Sequence, residues 1–249
     1  MLFYQCTLTL HDNIFFATRE MGILYETEKY LHNWALSFAL FETTLIRKPY
    51  RLQGEGAQRP GYLEAENEQN LLVLNEHGIY VFPALPLQWS YQVNTFKAAQ
   101  VPYYGQTKQF GGKNYPMNYG RAKELAVGSC YRTYIIAKQP ISTPRWIRLG
   151  KWAAKIQVDV QLLPSEVIQQ RSGEYSCNHP LNPIDLPCST RLLLYNRIVM
   201  PPVSLVSQAR ISGNYWQISK PDHWADSYNL FPVCLPSGVA YGANLVTSS

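Results

Sequence analysis

The sequence predicts an α+β fold with a predominantly antiparallel sheet. Short stretches with two-residue apolar alternation recur along most of the chain, whereas one stretch, between Glu20 and Phe41, carries a helical period. Long polar and basic insertions separate these elements.

The first element is Phe3 to Leu10. Tyr4, Cys6, Leu8 and Leu10 fall on one face and Phe3, Gln5, Thr7 and Thr9 on the other, the pattern of a half-buried strand. In Glu20 to Phe41 the apolar Leu24, Leu31, Trp34, Ala35, Phe38 and Phe41 recur every three or four residues, which predicts an amphipathic helix carrying Glu26, Glu28 and Lys29 on its outer side. Arg47 to Asn70 is polar and glycine-bearing and reads as an exposed connection. Leu71 to Leu74 and Ile79 to Phe82 read as two strands of a hairpin around Asn75-Glu76-His77-Gly78, with another strand at Trp89 to Val93. Lys97 to about Leu125 has no strong period and contains Gly105, Gly111, Gly112 and Gly120, so it reads as a loop or thumb-like hairpin inserted into the sheet. Strands resume at Cys130 to Ala137, Trp146 to Leu149 and Ile156 to Gln161. Ser172 to Pro187 reads as a Pro/Asn-rich loop, and Arg191 to Met200 and Val203 to Ile218 as further strands.

The 249 residues, 46% of them hydrophobic, are read as a single domain over 1–249 with insertions. The longest apolar stretches, Trp34 to Phe41 and Ile79 to Leu87, are far shorter than the roughly 20 residues that span a bilayer. No membrane partner is expected. The opening MLFYQCTLTLHDN lacks a basic leader region, and five cysteines scattered at positions 6, 130, 177, 188 and 234 lack the spacing of a disulfide framework, so a cytoplasmic, reducing location is expected. The net charge of +5 is unevenly spread. Between Lys97 and Lys155 eleven basic residues face one acidic residue, Glu124, while the rest of the chain sums to −5. A one-sign block points to a polyanionic partner.

Within that block, QVPYYGQTKQFGGKNYPMNYGRAKEL (100–125) interleaves Lys108, Lys113, Arg121 and Lys123 with Tyr103, Tyr104, Phe110, Tyr115 and Tyr119. Cations that track phosphates beside flat rings that accept unstacked bases are the equipment of single-strand binding. A loop whose tyrosines pack on the parent domain has the same composition. A second cluster, TPRWIRLGKWAAKI (143–156), sets Arg145, Arg148, Lys151 and Lys155 beside Trp146 and Trp152; it fits a phosphate grip and equally a basic edge strand with buried tryptophans. Cys177, His179 and Cys188, with Cys234 or His223 as a fourth ligand, match no common zinc spacing, so neither metal nor cofactor is expected. The five histidines, at 11, 32, 77, 179 and 223, all lie outside the basic block, and no GxSxG, P-loop, GxGxxG or HExxH motif occurs. A non-enzymatic chain is expected.

Several ordered stretches, LHDNIFFATREMGILYETEKYLHNWALSFAL, KNYPMNYGRAKEL, RLGKWAAKI, and NHPLNPIDLP followed by PPVSL, resemble the Cas-five family of type I-D CRISPR interference complexes, the Csc one subunit. The resemblance implies a distorted RRM or ferredoxin-like core with an inserted basic thumb. It also implies a subunit that clasps the 5′ handle of CRISPR RNA, caps a filament of Cas-seven-type subunits and docks a Cas-ten-type large subunit. On this sequence the implied RNA contacts are Tyr103, Tyr104, Lys108, Lys113, Tyr115, Tyr119, Arg121 and Lys123, with Arg145, Arg148 and Lys151 on nearby backbone. Lysines and arginines would position phosphates, and Tyr115 and Tyr119 would stack or wedge bases. No segment carries the RRM aromatic signature, which moves the expected base contacts from the sheet to the loop. Two rivals stand beside this reading: a subunit that itself cuts precursor RNA, and a protein-interaction subunit whose basic block meets an acidic partner.

Overall fold

The computed structural model describes residues 1–42, 44–46, 52–53, 56–57, 62–64, 70–97, 119–222, 224, 228 and 230–245. The first strand, β1 (Leu2–Leu10), buries Tyr4, Cys6, Leu8 and Leu10 as the alternation predicts, but Phe3 and Gln5 on its other face are buried too, so its first half is covered on both sides rather than half-buried. A hairpin follows, β2 (Arg19–Met21) and β3 (Leu24–Glu26), turning at Gly22 with φ +63°. Helix α1 is Asn33–Phe41. The expected helix from Glu20 to Phe41 is therefore half hairpin. Gly22 supplies the left-handed turn, and the Thr18 hydroxyl donates to the Glu26 carbonyl and accepts from the Glu28 N–H, which fastens the hairpin. The helix starts at His32, whose Nδ1 accepts the Trp34 N–H while its Nε2–H donates to the Val203 carbonyl. It is buried nearly all round rather than amphipathic, with eight of nine residues inside. Glu26 and Glu28 thus lie on a strand and a loop.

Two short pieces, β4 (Leu52–Gln53) and β5 (Gly56–Ala57), pair with each other. The expected hairpin around Gly78 is instead helix α2 (Leu72–Glu76) followed by β6 (Tyr80–Val81). Gly78 has the positive φ that the sequence suggests (+64°) but uses it to stop a helix: the Gly78 N–H donates to the Asn75 carbonyl and the Ile79 N–H to the Leu74 carbonyl. Asn75 contributes its side chain to the Tyr241 backbone, as donor and acceptor, instead of to a turn.

Then come β7 (Leu85–Gln88), β8 (Tyr91–Lys97), β9 (Tyr119–Leu125), β10 (Cys130–Ala137), β11 (Trp146–Leu149) and β12 (Ala154–Leu162). The largest sheet has the order β11-β12-β1-β10-β6, with β7 also on β10, and every pairing in it is antiparallel. A smaller sheet, β2-β3-β9-β8, includes one parallel pairing, β3 with β9. Among the described residues between β10 and β12 there is β11 and no helix.

The rest forms a third sheet: β13 (Ile168–Cys177), β14 (Arg191–Ile198), β15 (Leu205–Ile218) and β16 (Val233–Pro236), with β13 along one side of β15 and β14 and β16 along the other. Residues 172–177, expected in a loop, extend β13, because β15 supplies a partner for each and Gly173 lies across from Gly213 without side chains to collide. The remaining loop contains a 3-10 turn, Pro183–Asp185, capped by the Asn182 side chain. This sheet packs on the first through Phe3 against Trp216 (centroids 5.2 Å apart) and through His179, which meets the rings of Phe82 and Tyr134. The architecture is a sheet-dominated α+β fold. Among the described helices none is long and apolar enough to cross a membrane.

Candidate nucleic-acid interface

The basic block divides into a described frame and an undescribed middle. Tyr103, Tyr104, Lys108, Lys113 and Tyr115, with Phe110, lie outside the described residues. Their approach is described: β8 and β9 pair antiparallel, ending with Phe96 opposite Gly120 and Lys97 opposite Tyr119. Gly120 is required at that end, since a Cβ there would lie 2.6 Å from the Phe96 ring. Arg121 follows on β9, exposed and opposite Thr95. Lys123 is different. Its Nζ lies 2.9 Å from Glu26 Oε1 and 4.4 Å from the Tyr91 ring centroid, so its charge is already matched inside the protein. Glu124, the block's one acid, is 1% exposed and accepts from Asn94, so it contributes no negative charge to the surface.

The second cluster is joined to this hairpin. Its turn, residues 150–153, is pressed onto the chain after β1: Lys151 N–H donates to the Phe15 carbonyl at 2.7 Å, and a Cβ on Gly150 (φ +79°) would sit 2.8 Å from that same oxygen. Only glycine combines that φ with that approach. The turn projects Trp152, whose ring packs 4.5 Å from Phe15 and 6.4 Å from Phe96 at the end of β8. Trp152 therefore stands beside the end of β8.

On β11 the burial alternates. Ile147 and Leu149 point inward, while Trp146 and Arg148 share the outward face with Lys155 and Gln157 of β12. Lys155 Nζ lies 4.1 Å from the Trp146 ring centroid, and His11 meets the same ring edge-on at 4.9 Å. Arg148 reaches Asp12 at 3.6 Å and donates to the Ala153 carbonyl. The tryptophans are not core residues: Trp146 is 43% and Trp152 50% exposed. Arg121, Arg145 and Lys151 are exposed and make no ion pair among the described residues. The result is a band of open cations and half-open indole rings running from the outer face of β11 to the root of the insertion. Beside it, Arg148 and Lys151 rim a cleft of about 890 Å³ floored by Phe16, Phe38, Tyr62 and Met200.

The sequence missed two members of this band. His11 and Asp12 arrive from the end of β1, about which local composition says nothing; the Asp12 carboxylate also accepts the Lys155 N–H. Two of the sulfur and imidazole candidates for a metal make other hydrogen bonds. Cys177 donates to the His179 carbonyl, with burial pushing its thiol up to about 12, and His179 donates Nε2–H to the Pro83 carbonyl. Cys188 is exposed and His223 lies outside the described residues.

No curated protein matches the chain significantly. Among solved structures it is similar to a CRISPR protein from Archaeoglobus fulgidus (9% identity over 87% of this chain and 96% of that one, TM-score 0.41). It is also similar to a chain of the type III-B Cmr-beta complex bound to cognate target RNA and AMPPnP (7% identity, 84% and 86%, TM-score 0.47). The family model for the type I-D CRISPR-associated protein Cas5/Csc1 matches residues 1–244, and the chain belongs to that family.

Proposed function

We propose that this chain is a non-catalytic subunit of a type I-D CRISPR effector that holds the 5′ handle of the CRISPR RNA, caps the Cas-seven-type filament and docks the Cas-ten-type large subunit. The observation that carries the RNA reading is the joining of two basic, aromatic clusters into one exposed band through Trp152 and Phe96. Arg121, Arg145, Arg148 and Lys151 would take phosphates, Trp146 and Trp152 would take bases, and Tyr103, Tyr104, Lys108, Lys113, Tyr115 and Tyr119 would continue the track along a thumb. Lys123 would act through the hairpin it pins to Glu26. An RRM-derived core is supported by strand order: β12-β1-β10-β6 follows the 4-1-3-2 order of that fold, with α1 as its first crossover helix.

Salt titration of handle binding tests this. Each neutralised phosphate on single-stranded RNA contributes roughly −0.7 to the slope of log K against log salt. Lys151→Ala is expected to flatten the slope by about that amount and to weaken handle and unrelated RNA alike. An unchanged slope would remove Lys151 from the RNA path, and a flat wild-type slope would favour an acidic protein partner instead. The placement of His11 beside Trp146 favours one second reading, a metal-independent ribonuclease. Labelled precursor RNA incubated with the protein is expected to stay intact; site-specific cleavage lost in His11→Ala would establish that second reading.

A further inference from the structure

Arg132 carries a positive charge into the interior and meets no carboxylate among the described residues. It stands on β10 between Thr7 of β1 and Leu85 of β7, and it is 6% exposed. Nε and Nη1 have no hydrogen-bond partner, and Arg132 takes part in no ion pair among the described residues. Its guanidinium carbon lies 5.8 Å from the centroid of the Phe231 ring. A guanidinium cannot shed its proton in a protein, so the charge cannot be relieved by titration. Left unpaired, a buried ion and its unmet donors are costly, and a ring quadrupole offsets only part of that.

The guanidinium lines a small cavity with Tyr134, Ser176, Asn178, His179 and Cys234, and no acidic side chain among the described residues borders it. His179 stays neutral beside it, because burial pushes its pKa down to about 3 and the Arg132 charge adds to that. Ser176 and Asn178 are exposed, which places the mouth of the cavity at the surface. The space is about 30 Å³. One water needs ~10–15 Å³ on that measure, so a carboxylate-sized group fits and a nucleobase does not. Water could occupy the donors but would leave the charge unbalanced.

We infer that this cavity is an anion site, taking one carboxylate-sized group on Arg132, either a free small anion or an acidic side chain of a partner protein entering between Ser176 and Asn178. Sodium formate is the probe, with ionic strength held constant by a sulfonate salt too bulky for the cavity. Formate is expected to raise the melting temperature saturably, by ~5 °C when well above its Kd. Arg132→Met, which keeps the length and removes the charge, is expected to melt no lower than wild type without formate and to show no saturable rise. Where that variant fails to fold, the Arg132 side-chain N–H resonances of the wild type serve instead and are expected to shift along the same saturation curve. Loss of the formate response in the assembled complex assigns the group to a partner carboxylate, whereas its persistence assigns it to a free anion. An equal response in Arg132→Met, an unresponsive wild type, or resonances that do not move would overturn the proposal. Loss of the response on adding RNA alone would overturn the carboxylate assignment.

Discussion

Asp185→Ala is expected to cost about 3–5 kcal/mol of folding stability, because it leaves several buried donors without their acceptor at about 1–3 kcal/mol each. Asp185 is buried in the 3-10 turn after β13. Its Oδ2 accepts from Asn33 Nδ2 (2.8 Å), Tyr80 O–H (3.1 Å) and Trp34 Nε1–H (3.2 Å), and its Oδ1 accepts from the Gly242 N–H (2.9 Å). One carboxylate thus ties helix α1, strand β6 and the 241–245 turns together, and alanine would leave four donors dry. Urea denaturation is expected to show a much lower midpoint with an unchanged m value. A loss below ~1 kcal/mol would mean that water replaces the carboxylate, which would contradict the burial of this hub.

Three buried titratable groups, His32, His179 and Asp185, shape the pH profile. Burial holds His32 down at about 4 and His179 at about 3, so below the ordinary histidine pKa of 6.5 the unfolded chain takes up protons that the folded chain refuses. Stability present above pH 6.5 is therefore lost as pH falls through that window. Asp185 acts in the opposite sense. Burial raises it to about 6 against its donors, so between about pH 6 and 4 the folded state binds the extra proton and gains. Two histidines outweigh one carboxyl, and stability is expected to decline with acid, more steeply below pH 6 in Asp185→Asn.

Trp146→Ala is expected to weaken single-stranded RNA binding by about 1–3 kcal/mol, the usual value of one stacked base. The ring is half open and is positioned by Lys155 and His11 rather than by the core, so thermal stability is expected to fall by less than ~1 kcal/mol. Electrophoretic or fluorescence binding assays at fixed salt measure the first quantity and a melting curve the second. Full-strength binding by a folded Trp146→Ala protein would take the face of β11 out of the RNA path.

How far these features were legible depends on whether their cause is local. β10 and β11 match their sequence bounds, and β1 does so within a residue: β11 buries alternate residues as its pattern predicts, whereas β10 is a short, largely apolar β-prone run buried on both faces, and both signals are written in the chain. β13 was hidden. Gln169 through Glu174 are exposed on both sides, and the segment is a strand because β15 lies beside it, not because of its own pattern. The Glu20 to Phe41 spacing satisfied a helical period by coincidence, while Gly22 and Thr18 decided for a hairpin. In the candidate site the charge block and its rings were legible as composition. The pairing of Lys123 with Glu26 was not, since it depends on a parallel pairing of strands about a hundred residues apart, and the arrival of His11 at Trp146 likewise depends on sheet order.

Ultraviolet crosslinking of guide RNA within assembled particles, read by mass spectrometry, tests most directly whether this band carries the handle. Adducts are expected on peptides containing Trp146 and Trp152 and on the 98–125 segment. Guide RNA that crosslinks to this subunit only outside residues 97–155 would contradict it.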